Sequence, residues 1–71
     1  MPEMIYVDST NIEAIGYDAA NSELHLQFLK TGLYVYRDVP QAIFDELMAS
    51  DSKGSYFNRN IKPVYKNFEK R

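Results

Sequence analysis

The sequence predicts an α+β domain: an antiparallel meander of three strands, or four if an edge strand joins it, followed by one or two C-terminal helices. Three observations carry that reading. Residues alternate with a period of two before Pro40, an apolar stripe at helical spacing follows Pro40, and turn-type residues cut the first stretch into short segments. Seventy-one residues supply one hydrophobic core, so a single domain over 1–71 is expected, with a short lead-in at 1–4 and a basic tail at 66–71.

Met4 to Val7 is short and apolar enough to pair as the edge strand, over Ile5 to Val7. From Ile12, the residues Ile12, Ala14 and Gly16 alternate with Glu13, Ile15 and Tyr17, the period of a strand. A turn-type cluster from Asp18 to Ser22 follows. Leu24, Leu26 and Phe28 then alternate with Glu23, His25 and Gln27, which gives one apolar and one polar face. After Lys30-Thr31-Gly32, the aromatic and β-branched run Leu33 to Arg37 reads as the returning arm of a hairpin.

Asp38-Val39-Pro40 stops the sheet and starts a helix, with Asp38 or Val39 at its entry and Pro40 near the first turn, where a missing N–H costs little. Ile43, Phe44, Leu47 and Met48 form its apolar stripe. Ser52 suits the N-cap of a second helix with Tyr56, Phe57, Asn60 and Ile61 along one edge, ended by Pro63. The expected core is Ile15 or Ala14 with Leu24, Leu26, Phe28, Val35, Ile43, Leu47 and Phe57. Alternation alone does not say which face of the first and third strands turns inward, and a one-residue slip exchanges the faces.

Several function classes fall away on composition. Without cysteine there are no disulfides, thiolate metal sites or thiol nucleophiles, which fits a reducing compartment and makes the cytoplasm the expected location. No stretch approaches the roughly 18 apolar residues of a spanning helix, and the start lacks the basic and apolar regions of an export signal, so no membrane association is expected. His25 is the only histidine, poor material for a metal centre. No nucleophile elbow or glycine-rich phosphate loop occurs, and Asp45 and Glu46 diverge by about 100° on a helix. The expectation is a non-enzymatic chain with no catalytic residue, cofactor, metal or small-molecule substrate.

The net charge of −2 conceals an asymmetry. Through Ser52 the chain carries nine acidic and two basic residues; from Lys53 onward it carries six basic residues against Glu69. A basic segment of this kind either meets an acidic partner or lies against the domain's own carboxylates. Tyr34 and Tyr36 flank Val35, so on a strand their rings share a face and form either part of the core or a platform on which bases stack.

Ile15-Gly16-Tyr17-Asp18, Leu24 to Phe28, Gly32-Leu33-Tyr34-Val35-Tyr36, Val39-Pro40 and Ser52-Lys53-Gly54-Ser55-Tyr56-Phe57-Asn58, with Ile61 and Tyr65, together resemble the KTSC domain. That family is named for its place at the carboxyl end of some lysyl-tRNA synthetases, and it also occurs as a free-standing bacterial protein. The resemblance implies no catalytic residues and suggests RNA as the partner. In that reading Tyr34, Tyr36 or Tyr56 stacks bases while Arg59, Lys62 and Lys66 meet phosphate. An acidic sequence pI near 5.2 weighs against avid nucleic-acid binding. The alternative is a protein-interaction or self-associating module using a sheet edge or the tyrosine face.

Overall fold

The computed structural model describes residues 2–71; Met1, the first residue of the expected lead-in, lies outside the described residues. Five strands form one sheet rather than three or four: β1 (Ile5–Tyr6), β2 (Ile12–Asp18), β3 (Glu23–Phe28), β4 (Gly32–Tyr36) and β5 (Phe68–Lys70). They lie in sequence order, each antiparallel to the next. Helices α1 (Gln41–Ala49) and α2 (Lys53–Tyr56) intervene between β4 and β5, and α2 runs directly into a π-helical turn at Phe57–Ile61. The strand missing from the sequence reading is β5, whose three residues are too few to display a period.

Local chemistry sets the connections. The Asp18 carboxylate accepts from the Ala20 N–H at 3.1 Å and the Asn21 side-chain amide at 2.8 Å, closing the β2–β3 turn. Gly32 opens β4 at φ +100°, a conformation side-chain-bearing residues rarely adopt. Pro40 is itself the N-cap of α1, rather than Asp38 or Val39, and offers no capping side chain. Ser52 caps α2 as its hydroxyl suggests, accepting from the Ser55 N–H.

The core lies between one sheet face and the helices. Register puts Leu24 opposite Tyr36 and Leu26 opposite Tyr34, so both tyrosines share the helix-facing side with Leu24, Leu26 and Phe28. Val35, expected in the same core, is fully buried on the other face, opposite His25. In β2 a register shift between Ile12 and Ala14 brings both Ile12 and Ile15 into the core and leaves Ala14 behind the sheet. Leu47, Val39, Phe57 and Ile61 complete the core, with Ile43, Phe44, Met48 and Tyr65 packed at its margin.

The second sheet face is not left to solvent, as a meander usually leaves it. Residues Pro2 to Met4 cross it at Gly16, where a Cβ would stand 2.8 Å from the Glu3 carbonyl oxygen and 2.6 Å from the Met4 sulfur. His25, beside Gly16 in the register, is only 2% exposed. Its Nε2 lies 3.3 Å from a Glu23 carboxylate oxygen, and its Nδ1 has no hydrogen-bond partner among the described residues. Glu23 in turn faces Arg37, Arg37 binds Glu69, and Glu69 takes Arg71, a row of alternating charge across β3, β4 and β5.

Candidate nucleic-acid interface

Five aromatic rings gather where β3, β4 and β5 meet the π-helical turn. Phe57 packs edge-on against Tyr36 and Phe28, with ring centres 5.5 Å and 5.3 Å apart, and Phe28 packs edge-on against Tyr34. Phe68 lies nearly parallel to Tyr36 at 4.9 Å and tilted over Tyr34 at 6.0 Å. These geometries suit ring quadrupoles, edge against face or offset and parallel. Tyr36 is thereby almost enclosed, whereas Phe68 is 48% exposed and forms the outer step of the stack. Burial, with the nearby Tyr34 phenol, pushes the Tyr36 phenol above its ordinary pKa.

Two adjoining hollows open beside this step. One, of about 390 Å³, is walled by Asn11, Thr31, Tyr34, Asn58, Lys62 and Phe68 among others. Its neighbour, of about 410 Å³, shares Tyr36, Asn58, Lys62 and Phe68 and adds Pro63 and Lys66. Together they make a groove with an aromatic floor, an amide and hydroxyl end, and a lysine end.

The π-helical turn and the residues after it explain how Lys62 and Lys66 meet there. The Lys62 N–H donates to the Phe57 carbonyl at 2.9 Å, the five-residue bond of a widened turn, and such turns recur at functional sites. Pro63 does not break the alignment. It has no N–H to place, and the N–H groups of Val64 and Tyr65 both return to the Ile61 carbonyl. Arg59, Lys62, Lys66 and Lys70 take part in no ion pair among the described residues. The tail instead meets the body through its acidic residue, Glu69, held by Arg37.

Of the residues singled out from sequence, Tyr34, Tyr36, Lys62 and Lys66 come together at the groove. Arg59 is exposed but lines neither hollow. Tyr56 stands apart: its hydroxyl donates to Glu46 of α1 at 2.7 Å, and partial burial with that carboxylate pushes its pKa up to about 12. Sequence reasoning missed Phe68, Asn58, Asn11 and Thr31. For Phe68 the available signal was an aromatic beside a charge in Phe68-Glu69-Lys70; for the polar residues there was none.

The family model for the KTSC domain matches residues 8–65, most of the chain. The chain belongs to the KTSC domain family. The KTSC match takes in Tyr34, Tyr36, Asn58 and Lys62 and ends before β5, so Lys66 and Phe68 lie beyond it. The crystal structure of a KTSC domain protein from Yersinia pestis is similar at a TM-score of 0.95 and 34% identity, covering 100% of this chain and 99% of that one. The likeness therefore extends over β5. A protein of Tsukamurella paurometabola is 42% identical over 60 residues, 84% of this chain and 90% of that protein. A protein of Stutzerimonas stutzeri is 31% identical over 61 residues, 86% of each. Among the described residues no helix is long and apolar enough to cross a membrane.

Proposed function

We propose that this KTSC domain is a small non-enzymatic binding module whose ligand is RNA, held in the groove between β5 and the π-helical turn. One observation carries the reading: an aromatic step with an exposed outer ring stands beside Lys62 and Lys66, which form no ion pair among the described residues. Base stacking on an aromatic contributes about 1 to 3 kcal/mol and tolerates any sequence, while lysines release counterions from phosphate. The synthetase association implied by the KTSC resemblance points the same way. The net charge of −2 means that attraction is local to this face.

The test is a titration of the full chain with single-stranded and structured RNA at low and moderate salt. Lys62→Gln and Lys66→Gln are each expected to lower the salt slope by about 0.7 to 1, whereas Arg59→Gln, outside the groove, changes it less. Absence of binding at low salt would sink the RNA reading. It would favour a protein partner at the sheet edge, where Ile5 and Tyr6 of β1 are 45% and 75% exposed.

A further inference from the structure

The sheet has two open edges, β1 and β5, and the pairing inside it fixes which backbone groups each edge presents. The Val7 N–H donates to the Glu13 carbonyl, so Val7 and Ile5 turn their backbone groups toward β2, and the N–H and C=O of Tyr6 point outward. At the other edge the Arg71 N–H donates to the Leu33 carbonyl and the Asn67 carbonyl accepts from Arg37. By the same alternation, Phe68 and Lys70 turn their N–H and C=O groups outward. Register also places the side chains. Tyr6 lies opposite Ala14 on the second face of the sheet, and Phe68 lies opposite Tyr36 on the helix-facing side; they are 75% and 48% exposed.

The two edges differ in charge. No lysine or arginine precedes Lys30, and β1 is flanked by Glu3 and Asp8. The β5 edge carries Lys66 and Lys70, neither of which forms an ion pair among the described residues. Like edges therefore match poorly: Phe68 set against Phe68 of a second copy puts Lys66 opposite Lys70, and two β1 edges meet with acid on both sides and no cation on either. Unlike edges fit. As first and fifth strands of an alternating sheet, β1 and β5 run in the same direction, so joining them antiparallel turns the second copy over about an axis across the strands. Its second face then continues the helix-facing side of the first copy, which carries Tyr6 to the side where Phe68 stands. With these two rings opposite, their outward backbone groups form a bonded pair and Asp8 falls opposite Lys66. A slip of one residue sets outward groups against inward ones, and a slip of two in either direction sets Tyr6 against a lysine.

We propose that copies of this chain join head to tail, β1 of one adding to β5 of the next in the antiparallel register that sets Tyr6 opposite Phe68 and Asp8 opposite Lys66. This join does not depend on RNA binding. Every assembled row keeps one β1 and one β5 edge free, so growth is open rather than closing at a dimer. Strands of two and three residues make each join weak, and it populates at high protein concentration. Sedimentation velocity of the full chain over a rising concentration series is expected to show a weight-average mass that climbs continuously past the dimer. Asp8→Lys and Lys66→Glu each set like charges opposite one another and should weaken association on the order of fivefold. The chain carrying both changes, and an equal mixture of the two single variants, restore opposite charges across the join and should recover the parent's association. Asp8 and Lys66 are exposed, so all three variants are expected to melt with the parent, which a thermal scan verifies. Monomer mass at every concentration, a plateau at the dimer, or a double variant that associates no better than the single ones would overturn the join.

Discussion

Tyr56 shows how a side chain that reads as a binding group from sequence acts when folded as a strap between helices. Its hydroxyl donates to Glu46, and its pKa rises to about 12 through partial burial first and that carboxylate second. Between about pH 10, where an unfolded tyrosine ionises, and about 12, the unfolded chain has released this proton and the folded chain keeps it; stability therefore falls as pH rises through that window. Tyr56→Phe should leave a shallower alkaline decline in melting temperature than the parent shows. Gly16 gives a second expectation. A methyl there meets the Glu3 backbone, which cannot swing aside like a side-chain end, so Gly16→Ala should lift residues 2–4 from the sheet. Faster hydrogen exchange at Met4 and a shifted His25 ring resonance would report it, and an unchanged His25 would refute it. Leu26, fully buried in the core, should cost about 2 to 5 kcal/mol on truncation to alanine, read by chemical denaturation.

Among the elements, β2, β3, β4 and α1 were legible because each is long enough for its period to repeat. The face chosen by Tyr34 and Tyr36 was not legible, since alternation fixes two sets of residues and only pairing with Leu24 and Leu26 says which set faces the helices. Nor was β5, where three exposed residues owe their place to the β4 edge rather than to their own pattern. Its tie is partly ionic. Arg37, then Arg71, hold the Glu69 carboxyl below the usual carboxylate range, so its contribution is present above about pH 4.5 and is lost as pH falls through the lowered value. At acid pH the Arg71 amide, bonded to the Leu33 carbonyl at 2.8 Å, should lose exchange protection ahead of the β2–β3 pairs. Glu69→Gln should show weaker protection at neutral pH and little further change on acidification.

The whole molecule separates charge by place more than by net amount. The acidic majority of the first 52 residues leaves Lys62 and Lys66 unpaired because the tail's link to the body runs through Glu69 and Arg37, an inversion of the arrangement that charge counting suggests. Sequence could announce a basic segment and an aromatic pair, but not that a strand and a widened helical turn bring them within one groove. The site was therefore half visible: the two lysines and the inner rings could be named, while the outer ring and the amides depend on tertiary placement.

The sheet's simple order has a consequence for how the domain is made. Strands β2, β3 and β4 each pair with the strand just before them, which closes short loops at small entropic cost, whereas β5 must find β4 across both helices; Arg37 and Glu69 are 32 positions apart. Hairpins can assemble as the chain emerges, but Phe68 reaches Tyr36 only after the helices have packed. A nascent chain that ends at Lys66 therefore carries both groove lysines without the outer ring of the aromatic step.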